Sequence, residues 1–137
     1  MYTATTTLRV RYSETDQMQY VYHGNYAAYY EVGRVEAMRQ LGLSYKALED
    51  SGVMMPVLEI HSYYHLPAKY DELLTIKITI PVLPLVKIRF QYEIYAEDGR
   101  KLHTGETTLA FINRATGKPT KAPAAMTDLL APFFDEK

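Results

Sequence analysis

Cysteine and tryptophan are both absent from this 137-residue chain. Without cysteine there are no disulfides, no thiolate metal ligands and no thiol nucleophile. No apolar run approaches the roughly 20 residues that a membrane-spanning helix needs. The first ten residues are Thr-rich and lack the basic and apolar regions of a secretory signal. These absences lead us to expect a cytoplasmic protein with no membrane partner. Fifteen Lys and Arg stand against 16 Asp and Glu, with no block of one sign, so no attraction to nucleic acid is expected either. The Gly-x-Ser-x-Gly elbow, the phosphate loop, the Gly-x-Gly-x-x-Gly fingerprint and the His-Glu-x-x-His helix are missing too. Common serine hydrolases, nucleotide enzymes and zincins thereby lose their sequence support.

What the chain has in excess is tyrosine, 13 of them, six within residues 12–30. A tyrosine pairs a large apolar ring with a polar tip, which suits the wall of a half-wet pocket or an interface as well as a core. No repeat or linker divides the sequence, so residues 1–137 read as one domain. Residues 3–12 alternate apolar and polar as a strand does. Residues 25–41 are apolar nearly all round, which predicts a long helix buried on most of its circumference, with Gly24 or Asn25 capping its start and Gly42 its end. A short helix follows at Ser44 and residues 47–50, closed by Gly52. Strands are then expected at 57–66, 73–82, 85–95 and 101–113, with a hairpin turn at Glu97, Asp98, Gly99 and Arg100. Residues 127–134 complete the chain as a last short helix. One strand, one long helix and four antiparallel strands bury each other best as an α+β domain, a curled five-stranded sheet around a central helix. Its free sheet edges invite a second copy.

His61 and His65 are four apart, but on a strand that spacing spans roughly 13 Å, too far for two imidazoles to share an ion. They read as polar residues on one strand face, and His103 is read the same way; no metal is expected. Glu31 and Arg34 lie within ion-pair reach on the helix. They form either a structural pair or, in the functional reading, leave Glu31 projecting into a pocket. The dense segment is 11–26. Asp16 sits in an irregular stretch, seven residues before the His23-Gly24-Asn25 run that opens the helix. Acyl transfer needs a carboxylate that attacks a carbonyl or activates water, and donors for the oxyanion. Asp16 offers the first, and the unpaired N–H groups of a helix start offer the second. Taken alone, Asp16 would read as a turn carboxylate.

Four stretches carry a resemblance: Arg9-Val10-Arg11-Tyr12, Glu14-Thr15-Asp16, Val21-Tyr22-His23-Gly24-Asn25-Tyr26 and Tyr30-Glu31-Val32-Gly33-Arg34. Together they resemble the hot-dog-fold thioesterases of the 4-hydroxybenzoyl-CoA thioesterase type, which include bacterial acyl-CoA thioesterases associated with the Tol-Pal gene cluster. The resemblance implies that Asp16 is the catalytic carboxylate, as nucleophile or general base. It implies that the N–H groups at His23 and Gly24 polarise the thioester carbonyl, with the His23 imidazole in a secondary catalytic role. Gln19, Tyr20, Tyr22, Asn25, Tyr26 and Glu31 would line the substrate site, and Lys87, Arg89 and Lys121 are candidates for the CoA moiety. No cofactor is implied, since CoA is part of the substrate. Homodimers or homotetramers are implied, with His61 and Tyr63 reaching a partner's site. Gln19 departs from the pattern, for relatives commonly carry glycine there. Two other functions are compatible with the same fold: hydrolysis of acyl groups on acyl carrier protein, and acyl-CoA binding without hydrolysis.

Overall fold

The computed structural model describes residues 1–135. The strands β1 (Tyr2–Arg9), β3 (Val57–Tyr64), β4 (Leu73–Ile80), β5 (Lys87–Tyr95) and β6 (Lys101–Ala110) form one antiparallel sheet, in the order β1-β4-β5-β6-β3. The long helix α1 (Tyr26–Leu41) lies on one face of that sheet, against β1, β4 and β5. A short helix α2 (Tyr45–Asp50) follows, its start capped by the Ser44 hydroxyl, which accepts from the Ala47 N–H at 3.0 Å. A two-residue ladder, β2 (Val53–Met54) with β7 (Ile112–Asn113), and a last helix α3 (Ala124–Leu130) complete the fold. The small ladder is too short to leave a periodic signal in the sequence.

Alternation decides which side chains meet the helix. Leu74, Ile76, Ile78 and Ile80 of β4 and Ile88, Phe90, Tyr92 and Ile94 of β5 are fully buried, each contributing roughly 1.5–3 kcal/mol by leaving water. Gly33 lets α1 come close: a methyl there would sit 3.1 Å from Ile78 Cγ1 and 3.4 Å from Ile76 Cγ2. Gly42 ends the helix as expected, with φ 100° and its N–H turned back to Arg39 and Met38 carbonyls.

Several expectations about burial and element bounds are corrected. The predicted all-round burial of the helix holds for only one face: Tyr26, Tyr29, Tyr30, Gly33, Ala37 and Met38 are buried, whereas Ala27, Ala28, Glu31 and Val32 are exposed. The edge strand β3 meets α1 at its Tyr64 end, where Ser62 bonds the Tyr30 hydroxyl at 2.6 Å and the Tyr64 ring stands edge-on to Tyr26. On β3, Leu58 and Ile60 are 50% and 46% exposed. The first strand stops at Arg9, and Tyr12, expected on its covered face, is exposed within a 3-10 turn, Tyr12–Glu14. Val86 likewise precedes β5 and is exposed. The last helix begins three residues earlier than its apolar pattern suggests, since Pro123 supplies a ready start.

Candidate active site

The segment between β1 and α1 is a hairpin loop built around Asp16. The Asp16 N–H bonds the Tyr20 carbonyl at 2.8 Å and the Gln19 N–H bonds the Asp16 carbonyl at 2.9 Å, flanked by a bridge between Thr15 and Val21. This is a three-residue hairpin loop, whose last loop residue must be left-handed. Gln19 occupies that position, at φ 66°. The left-handed turn that glycine would make without strain is therefore kept with a glutamine.

The same turn fixes the carboxylate. Asp16 Oδ1 accepts from the Met18 N–H at 2.9 Å and from the Tyr20 N–H at 3.3 Å. Among the described residues Oδ2 has no hydrogen-bond partner. The turn reading of Asp16 and the functional reading are thus compatible, one oxygen serving the backbone and the other left over for chemistry.

Glu14 ties this loop to the helix. Its carboxylate accepts from the Arg11 N–H at 2.8 Å and the Tyr29 hydroxyl at 3.0 Å, and its carbonyl accepts from the Tyr22 N–H and the Asn25 side-chain amide. Burial first and the Glu14 charge second push the Tyr29 phenol up. Asn25, proposed as a cap, spends its side chain on Glu14 instead. His23–Asn25 is a 3-10 turn that runs directly into α1. Among the described residues the N–H groups of His23 and Gly24 carry no hydrogen bond, leaving two donors at the positive end of a 16-residue helix.

Asp16, Tyr20, His23 and Tyr26 line one cleft of about 330 Å³, joined by Met18, Val21, Tyr64, His65, Leu66 and Pro67. The other candidates fall elsewhere. Gln19 is at the loop tip, the Tyr22 ring lies tilted at 44° to the His23 ring at 4.4 Å, and Asn25 is bound to Glu14. Glu31 and Arg34 do not form an ion pair: Arg34 donates to the Tyr92 hydroxyl at 3.3 Å. Both line a second, larger cavity of about 650 Å³ with Met38, Leu48, Met54 and Phe90. Lys87, Arg89 and Lys121 are exposed at the end of the sheet away from the cleft, where β5 pairs with Ala110 rather than His103. Arg89 is paired with Glu106. Lys69, bridged to Tyr20, is the basic residue that the backbone brings beside the cleft. His61 and Tyr63 point to the face of β3 opposite Ser62 and Tyr64, and so away from α1. Among the described residues no cluster could hold a metal.

Sequence reasoning passed over the layer behind the cleft. His103 is fully buried, its imidazole stacked on the Tyr26 ring at 4.0 Å and 10°, with the Tyr64 ring edge-on at 4.8 Å. Its Nε2 meets the Tyr30 hydroxyl, which also meets Ser62 Oγ at 2.6 Å. Burial first, then the nearby His65, lower its pKa to about 4. Tyr26 and Tyr30 are both pushed up to about 12 by burial. A signal did exist: Gly105, midway along β6, is an unusual strand residue that marks a close approach. The Tyr30 hydroxyl occupies the space a methyl at Gly105 would need.

A five-stranded antiparallel sheet with one long helix on its face, and a carboxylate loop leading into that helix, define the hot-dog fold. The chain belongs to the thioesterase-like superfamily, whose family model matches residues 10–130. It is 33% identical over 121 residues to the putative acyl-CoA thioesterase YneP of Bacillus subtilis, covering 88% of each chain. It is 29% identical to the acyl-CoA thioester hydrolase YbgC of Escherichia coli, over 87% of this chain and 89% of that protein. Among solved structures, a DHNA-CoA thioesterase from Staphylococcus aureus matches with a TM-score of 0.86 and 29% identity, over all of this chain and 98% of the other. The chain is accordingly a thioesterase.

Proposed function

We propose that this enzyme hydrolyses acyl-CoA thioesters in the cytoplasm, using Asp16 and the helix start at His23 and Gly24. The observation that carries the reading is that Asp16, with one free carboxylate oxygen, and His23, whose N–H is unpaired among the described residues, line one cleft, with Gly24 next in the same turn. The thioester carbonyl oxygen meets the two N–H groups, whose dipoles stabilise the negative charge that grows on it. In the general-base route, water attacks the carbonyl carbon as Asp16 takes its proton. The tetrahedral intermediate then expels the CoA sulfur, which leaves as the thiol with that proton. In the nucleophilic route, Asp16 Oδ2 itself attacks, CoA leaves, and water cleaves the resulting acyl-aspartate anhydride. The relatives' names support acyl-CoA as the substrate class.

The working form in this reading is a homodimer or a tetramer built from such dimers. Ile60 and Tyr64 lie on the α1 side of β3 yet stay exposed, as do Leu58 at the bulge in that strand and Ala27, Ala28 and Val32 of α1. A second copy paired antiparallel along β3 would cover both surfaces. That pairing sets the Val57 end of one strand beside the Tyr64 end of the other. The Asp16 cleft of one protomer would then face the partner's larger cavity, a place for the acyl chain. Asp16→Asn is the test, read by thiol release from short, long, branched and aromatic acyl-CoAs. Turnover on the best substrate should fall by about 10²- to 10⁴-fold. Full activity in the variant, or none in the wild type, would overturn the mechanism.

A further inference from the structure

Behind the cleft, the structure holds a polar chain that the hydrolysis itself does not call on: His103, Tyr30 and Ser62. Burying such a chain among apolar side chains is costly unless it is satisfied. Here one atom is not satisfied, for His103 Nδ1 is buried without a partner among the described residues. A neutral imidazole carries its proton on one nitrogen. An unpaired acceptor is tolerated better than an unpaired donor, which places the proton on Nε2, donating to the Tyr30 oxygen. Tyr30 then donates to Ser62. This arrangement fixes the plane of the imidazole, and what it offers the cleft is that plane. One face of it stacks on Tyr26, and Tyr64 stands edge-on to it. Both of those tyrosines line the cleft. Tyr26 and Tyr64 also touch each other edge-to-face at 5.4 Å. Tyr64 completes the connection by donating its hydroxyl to the His23 carbonyl at 3.3 Å.

We propose that His103 is the positioning residue of the oxyanion-binding turn: it holds Tyr64, and through the Tyr64 hydroxyl the His23-Gly24 backbone, in the orientation that presents its N–H groups to substrate. The inference rests on the reading that this turn receives the thioester oxygen. Tyr64 is half-exposed, so its ring would be free to turn away if nothing behind it fixed its angle. Gly105 belongs to the same device, because only an absent side chain there lets Tyr30 reach across β6 to pin the imidazole.

Tyr64→Phe keeps the ring and removes the hydroxyl, and His103→Gln keeps a donor near the place of Nε2 while removing the aromatic plane. Each should lower kcat by about three- to tenfold, the worth of one oriented hydrogen bond, with KM within about twofold. Because both act through one ring, the double variant should be no slower than the worse single one. Unchanged kcat in Tyr64→Phe, or multiplied effects in the double variant, would overturn the proposal. So would a His103→Gln enzyme with a lowered Tm but wild-type kcat, which is the signature of a purely structural histidine. Should His103→Gln fail to fold, Tyr64→Phe decides alone. Asp16→Asn, assayed alongside, separates the two readings. If it abolishes turnover while Tyr64→Phe and His103→Gln do not slow it, only the role of His103 fails. If it retains full activity, the site itself has been misassigned.

Discussion

Strands β3 and β4 have the same length and are similarly rich in apolar residues, yet one is finished within the chain and the other is not. In β4, Leu74, Ile76, Ile78 and Ile80 are at most 1% exposed, paired with β1 on one side and β5 on the other and roofed by α1. In β3, α1 reaches only Ser62 and Tyr64, Leu58 and Ile60 stay about half exposed, and only β6 pairs with the strand. Hydrophobic content is the same kind of signal in both; what differs is whether this chain supplies the cover. An apolar edge strand left open is a place for another strand, and the cleft that Asp16 lines lies at its Tyr64 end.

The sharpest test of that contrast puts one change in each strand. Ile78→Ala should cost about 2–5 kcal/mol, the range for emptying a packed aliphatic site, read as a lower urea midpoint. Ile60→Asp should leave the isolated chain within about 0.5 kcal/mol of wild type, as an exposed position does. It should still shift the mass in light scattering from two chains toward one. If Ile60→Asp is as costly as Ile78→Ala at high dilution, β3 is closed within the chain and the contrast fails.

A smaller effect is expected at the seam between the two regions, where His103 sits on β6 between β5 and β3. The groups facing it are Tyr26 and Tyr30 from α1, Tyr64 from β3 and the neighbouring His65. Its folded pKa of about 4 lies below the roughly 6.5 of an unfolded histidine. Between those values the unfolded chain binds a proton that the folded chain refuses, so stability rises with pH there. The contribution is intact above about 6.5 and is lost as the pH falls toward about 4. Urea titrations at several pH values should show a shallower slope in that window for His103→Gln than for wild type. Equal slopes would mean that the imidazole is not held neutral.

How much of this was legible beforehand follows the same division. The α+β class, the helix end at Gly42 and the main strands could be read because alternation and capping are local. Asp16, His23 and Tyr26 were found through a compact motif, and the structure places them in one cleft. The one-sided burial of α1 was misread because an apolar stripe looks the same whether its own chain or another copy covers it. Glu31 and Arg34 were judged by helical spacing alone, which cannot see Tyr92 arriving from β5. The layer of Glu14, Tyr64 and His103 was missed because its contacts join residues 15 to 77 positions apart. Only Gly105, an odd residue for mid-strand, hinted at it.

Gln19 is the case where sequence and structure sharpen each other, and it carries the smallest predicted effect. Its left-handed backbone costs a side-chain-bearing residue about 1–2 kcal/mol, and glycine would remove that cost. Glycine also loosens the unfolded chain, which returns about 0.4–1 kcal/mol. The balance for Gln19→Gly is a gain of about 0.5–1 kcal/mol, visible as a slightly higher urea midpoint. The exposed Gln19 side chain makes no hydrogen bond among the described residues, so nothing in the fold offsets the gain. Its N–H still closes the loop that holds Asp16, and glycine keeps that bond, so turnover on a short acyl-CoA should stay within about twofold. A change confined to bulky acyl groups would place the Gln19 side chain at the mouth of the cleft. A net loss of stability would instead show that the glutamine holds the loop through a contact formed in solution, making it a structural part of the Asp16 hairpin and not a strained substitute for glycine.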